Sequence, residues 1–192
     1  MAAAKGFVTV RPDAAYGDNE LFCSADQAYC ELWTCPGSGA QEISEVGFWG
    51  DSDAIAAVYH MAFFTDAGEA SGASYPVNLV TNSDTGEISF QNTTPQIRPF
   101  TYGTKPILTG GAKYWFALGT DDSNLQVQHF DVGIAAGDSI SDSTTYPNWS
   151  TSWSTHTDRE WDNSFYAIYA AQAGGLSIPY NPWLQLGPIL AQ

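Results

Sequence analysis

The chain has 192 residues, 44% of them hydrophobic and 14% aromatic, but only 14% charged, where about a quarter is usual. That is enough apolar material for one domain with a sizeable core. Acidic residues number 21 against 6 basic ones, for a formal net charge of −15. This excludes the clustered Lys and Arg that phosphate backbones and anionic bilayers require, so neither nucleic acid nor a membrane surface is expected as a partner.

The acidity has two readings. One is a soluble surface that resists aggregation. The sharper one is life in a saline or divalent-rich medium, or assembly beside a basic partner. No apolar run approaches the ~18 residues of a membrane span. The start, residues 1–8, lacks the basic opening and long apolar segment of a secretory leader. Export, if it occurs, is therefore expected by another route.

Taken in chain order, residues 1–40 look unlike the rest. Residues 7–10 suit one short strand, stopped at Arg11 and Pro12. From Pro12 to Ala40 no helical or strand period persists. Tyr16, Leu21, Phe22, Tyr29, Leu32 and Trp33 are nevertheless too apolar for a solvated tail. The expectation is an N-terminal arm packing on the body or on a neighbouring subunit. Cys23, Cys30 and Cys35 are spaced C-x6-C-x4-C, which lacks the paired C-x2-C of zinc knuckles. Either one disulfide plus a free thiol or three reduced thiols fits, and a zinc site is not expected.

The body is expected over residues 41–173 as an all-β fold. Residues 43–48 form its first strand, ended by Gly50 and Asp51. Residues 55–65 come next, with Ala57, Tyr59, Met61 and Phe63 on one face and Val58, His60, Ala62 and Phe64 on the other. Both faces are apolar, as in a central strand. A polar loop leads to Tyr75. Residues 77–81 are a strand, and Asn82, Ser83, Asp84, Thr85 and Gly86 form a turn. Strands at 88–92, 96–100 and 105–108 follow, then Gly110 and Gly111. Residues 114–118, 125–130 and 131–135 continue the series. A second polar segment covers 137–163, and 165–171 is the last strand. Eight or nine strands with turn signals about every ten residues make the pattern of a β-sandwich.

After Gly174 and Gly175 comes an apolar stretch broken by Pro179, Pro182 and Pro188. Prolines so close rule out helix and central strand, while the apolar content is too high for a disordered tail. Residues 174–192 are expected to form an extended C-terminal arm. Ile178, Tyr180, Trp183, Leu184 and Leu186 would be its assembly contacts.

Chemistry-bearing residues form no catalytic signature. His60, His129 and His156 are not paired with carboxylates in a triad or metal pattern, and G-x-S-x-G, H-E-x-x-H and P-loop motifs are absent. His60 reads as a satisfied core or interface residue. Two glycosidase carboxylates would meet only in the fold, so 21 acidic residues decide nothing there. The chain is expected not to be an enzyme and to need no cofactor. Calcium is the one ion its acidic loops could take, with Asp121, Asp122 and Asn124 as the favoured ligands. The same residues are also ordinary turn chemistry.

A polar loop carries Trp149, Trp153 and Trp161, with Asn148 beside them. Flat rings between amides and hydroxyls suit sugar binding, so these residues are the carbohydrate-binding candidates. The bland alternative is that the rings cover a sheet edge or an opening of the sandwich. Sequons at Asn92 and Asn148 would matter only on a secretory route.

The stretch holding Gly110, Gly111, Lys113, Tyr114, Trp115, Ala117, Leu118, Asp121 and Asp122 resembles a strand of jelly-roll sandwiches. These occur in phage tail fibres, head decoration proteins and other virion appendages, and in sugar-binding modules of secreted bacterial proteins. The likeness extends loosely over 41–171 and carries no catalytic residue. It implies a jelly-roll β-sandwich, and the two arms favour the virion form. The resulting expectation is a non-enzymatic structural subunit of a phage virion, a surface decoration or appendage protein. Its partners would be itself, as a homo-oligomer, and other virion proteins, with assembly in the host cytoplasm. The alternatives are a carbohydrate-binding module or receptor-binding head engaging a host glycan, which could be extracellular, and a cell-surface or filament subunit.

Overall fold

A computed structural model describes residues 19–52, 55–68, 74–130, 139–149, 153, 156–159 and 162–171. The strands are β1 (Asn19–Phe22), β2 (Gln27–Thr34), β3 (Gly39–Ser52), β4 (Ala57–Asp66), β5 (Pro76–Leu79), β6 (Ile88–Phe90) and β7 (Gln96–Thr101). They continue with β8 (Ile107–Gly110), β9 (Lys113–Thr120), β10 (Leu125–Phe130), β11 (Ser139–Ser143), β12 (Thr157–Arg159), β13 (Asp162–Asn163) and β14 (Phe165–Ala171). The described chain is all-β.

Two seven-stranded sheets result. The first runs β1-β10-β3-β14, with β7 and β8 on the other edge of β3 and β13 on β10. The second runs β12-β11-β2-β9-β4-β5, with β6 also on β4. Strand pairings are antiparallel throughout the described residues. One core lies between the sheets. Ile43, Val46 and Phe48 of β3, Leu125 and Val127 of β10, and Phe165 of β14 meet Tyr29 and Trp33 of β2, Tyr59, Met61 and Phe63 of β4, and Phe116 and Leu118 of β9. Phe116 sits centrally, 4.9 Å from the Phe63 ring and 5.2 Å from that of Phe165. The arrangement is consistent with a β-sandwich, in which alternate residues of each strand fill the space between sheets.

The interior strands follow from their composition. From Tyr114 to its end β9 is buried on both faces, because it lies between β2 and β4 and both its faces are apolar. The two-faced strand expected at 55–65 is β4. Its odd residues enter the main core, and Ala62 and Phe64 join a second cluster on the outer face of the sheet, with Ala28, Cys30, Trp115, Ala117, Ile140 and Trp153.

Two expectations change. Residues 19–40 are not an arm laid on the body: β1 and β2 are strands of the two sheets, and β2 is an interior one, paired with β9 over its whole length and with β11 on its other side. Its Glu31 is 4% exposed, and Glu31 Oε2 accepts the backbone N–H of Asn163 at 2.7 Å. That hydrogen bond ties the second sheet to β13 of the first and satisfies a charge that would otherwise forbid burial. The polar segment 137–163, expected without strands, supplies β11, β12 and β13. The strand expected at 131–135, the short strand at 7–10, and the C-terminal contacts Ile178, Tyr180, Trp183, Leu184 and Leu186 lie outside the described residues.

Candidate functional site

The outer face of the second sheet carries the most developed polar and aromatic arrangement. It starts from a gap. The outer edge of β4 pairs with β6 at Ala57–Tyr59 and with β5 from Phe64 onward, which leaves the backbone between them without a strand partner. The turn at 82–86 fills it. Ser83 Oγ accepts the N–H of Phe63 at 3.0 Å, and Thr85 Oγ1 accepts that of Met61 at 2.9 Å. Thr85 N donates to Met61 O at 2.9 Å and Val80 N to Phe63 O at 2.8 Å. Asn82 (φ 63°) and Gly86 (φ 65°) take the left-handed conformation that Asn and Gly tolerate best.

This turn places Asp84 over His60. Asp84 Oδ1 accepts the N–H of Gly86 at 2.8 Å, and Asp84 Oδ2 accepts the indole N–H of Trp149 at 2.8 Å. The indole stacks on the His60 imidazole, with centroids 3.8 Å apart and an interplanar angle of 7°. Phe64 meets the indole edge-on at 5.3 Å, and the Tyr146 ring stands edge-on to His60 at 5.0 Å. Beneath the imidazole lies Gly119 of β9, where a Cβ would come within 2.5 Å of His60 Nε2 and 3.1 Å of Trp149 Cζ3. Only glycine lets the ring lie so close to the sheet.

Burial controls the electrostatics. His60 is 2% exposed. Burial lowers its pKa from 6.5 to about 4, outweighing the opposing pull of Asp84, whose Oδ1 lies 3.7 Å from Nδ1. The imidazole is therefore neutral at pH 7. Burial also raises the Tyr146 phenol, assisted by the charges of Glu87, Asp121 and Asp84.

The aromatic loop is divided by the structure. Trp153 is 3% exposed and meets Phe64 edge-on at 5.6 Å, so it is a core residue and not a sugar platform. This corrects its assignment as a carbohydrate-binding candidate: a ring set among Ser and Thr in sequence here covers a sheet face. Trp149 is only partly buried, and Asn148 beside it is exposed. Trp161 lies outside the described residues. Sequence reasoning missed His60 and Asp84 as partners of Trp149. No local signal joins them, because the Trp149–Asp84 hydrogen bond spans 65 residues.

The other candidates do not converge. Asp122 Oδ1 accepts both the backbone and side-chain N–H of Asn124, the local bonding of an Asx turn. Among the described residues no group of three or more His, Cys, Asp or Glu is placed to hold a metal ion. Cys23 and Cys35 lie in the main core and Cys30 in the outer cluster. All three are free thiols whose pKa burial raises. His156 Nδ1 donates to Trp153 O at 2.6 Å, and its Nε2 lies 3.2 Å from Asp158. His129 is buried in β10. The three histidines thus serve separate places. No family model matches this chain, and neither a curated protein nor a solved structure gives a match.

Proposed function

We propose that this chain is a non-enzymatic structural protein of a phage virion, a surface decoration or appendage subunit with a jelly-roll body. It assembles with copies of itself and with other virion proteins in the host cytoplasm. The observation that carries this reading is the edge strand β5. It closes the second sheet and exposes Val77 and Leu79, each 45% accessible. A strand edge with outward apolar side chains is where a further chain pairs. The apolar, proline-broken stretch 176–190 supports the same reading from sequence, as a segment suited to lie in a neighbour's groove. Deleting residues 175–192 is expected to lower the oligomeric state measured by light scattering. Equal assembly of the shortened and full chains would count against it.

A second reading is favoured by Trp149. Its ring is fixed by the His60 stack and the Asp84 hydrogen bond, remains partly open, and stands beside exposed Asn148. A pre-positioned indole next to a free amide is the chemistry that takes a sugar ring, so a host glycan is the alternative ligand. Trp149→Ala is then expected to abolish any glycan-array signal of the wild-type protein. An undiminished signal in that variant would remove the site from consideration.

A further inference from the structure

We propose that residues 145–149 form an acid-released cover over the outer face of the second sheet, held shut by neutral His60 and released when that imidazole takes up a proton. The geometry carries the inference. His60 is enclosed on its faces and edges by Trp149 stacked at 3.8 Å, by Tyr146 edge-on at 5.0 Å and by the bare backbone of Gly119. Its Nδ1 faces Asp84 Oδ1 at 3.7 Å, so the single proton of the neutral ring belongs on that side. Its Nε2 is buried and has no hydrogen-bond partner among the described residues. In the neutral ring that atom holds a lone pair, which costs less to bury unpaired than a charge does. In the imidazolium it becomes an N–H donor pressed against Gly119 with no acceptor, and a buried unsatisfied charged donor is strongly disfavoured.

Two groups pull the other way. The Asp84 carboxylate attracts the cation, and the indole face offers it a cation–π contact. Burial prevails over the carboxylate, since the pKa in the closed form falls from 6.5 to about 4. The charged groups facing this pocket are Asp84 from the turn after β5, and Glu87 and Asp121, which act on Tyr146. The sign follows. The open form binds the proton more tightly than the closed one. Acid therefore leaves the cover shut above about pH 6.5, opens it progressively down to about pH 4, and gains nothing further below. Opening increases by up to about 10-fold per pH unit in that interval. What swings away is Trp149, together with Tyr146, and what it uncovers is His60 and the edge of Phe64.

The test uses the full chain and the indole N–H resonance of Trp149, assigned by its loss in Trp149→Phe. Between pH 6.5 and 4 this proton should lose its protection from solvent exchange while the backbone amides of β4 and β9 keep theirs. His60→Gln should abolish the pH response. Asp84→Asn keeps an acceptor for the indole but removes the charge that favours the imidazolium, and should extend the response to lower pH. Glu87→Gln and Asp121→Asn should leave it in place. A Trp149 indole that stays protected down to pH 4 would overturn the proposal. So would an unchanged response in Asp84→Asn, or loss of the β4 and β9 amides at the same pH as the indole. The Asp84 variant keeps the test decisive if His60→Gln does not fold.

Discussion

Trp153→Ala is expected to lower the free energy of unfolding by about 3–5 kcal/mol, the usual cost of deleting a large aromatic from a packed interior. The ring is 3% exposed and belongs to the cluster that seals the outer face of the second sheet. Its neighbours there, Phe64, Trp115 and Ile140, come from β4, β9 and β11. Rigid strands cannot collapse into the vacated space, so the cavity term persists. The backbone carbonyl of Trp153 also accepts from His156, through both the backbone N–H at 3.3 Å and Nδ1 at 2.6 Å. Loosening that segment would spread the effect beyond the ring. A urea titration followed by circular dichroism measures the loss. A change of less than about 1 kcal/mol would mean that Trp153 lies at the surface, and would restore it as a sugar-binding candidate.

The contrast with Trp149 separates structure from recognition. Both rings touch Phe64, but only Trp149 keeps part of its surface open. A sugar would rest on that remaining surface.

The interior strands were legible where both faces are apolar. Residues 55–65 read as a central strand from the alternation around Tyr59, Met61 and Phe63, and β4 occupies that position. The glycine pair before Lys113 and the aromatic run after it marked β9 correctly. Strand β2 was not legible. Its alternation sets Ala28, Cys30 and Leu32 against Tyr29, Glu31 and Trp33, and a carboxylate at the centre argues for solvent. A group that hydrogen-bonds the buried Glu31 is Asn163, 132 residues away. For β11 the difficulty is the reverse. Ser139 and Ser141 are buried although the local composition is that of a loop, because pairing with β2 and β12 supplies the burial. The His60–Trp149–Asp84 arrangement was illegible for the same reason. The turn chemistry of residues 82–86 was visible, but the gap in β4 that captures the turn exists only once β5 and β6 have paired on either side of it.

Gly47→Ala is expected to destabilise the protein by about 3 kcal/mol, the upper end of the usual cost of overpacking. Gly47 lies in the middle of β3, opposite Tyr166 of β14 on one side and Pro99 of β7 on the other. A Cβ there would come within 2.2 Å of the Arg98 carbonyl oxygen and 2.7 Å of Tyr166 Cε1. The Tyr166 ring is fully buried against Trp49, Ile97 and Ile168, and its hydroxyl donates to Glu45 at 2.7 Å. It is therefore not free to rotate away. The carbonyl is the harder obstacle, since it belongs to the pairing of β3 with β7. The double variant Gly47→Ala, Tyr166→Ala tests this order. Removing the ring relieves only the side-chain clash, so the double variant should cost somewhat less than the sum of the single ones, with a coupling of about 0.5–3 kcal/mol. It should nevertheless remain less stable than Tyr166→Ala alone, because the backbone contact persists. If the Gly47→Ala melting curve instead overlays that of the parent, β3, β7 and β14 do not meet in this register, and the first sheet must be paired differently.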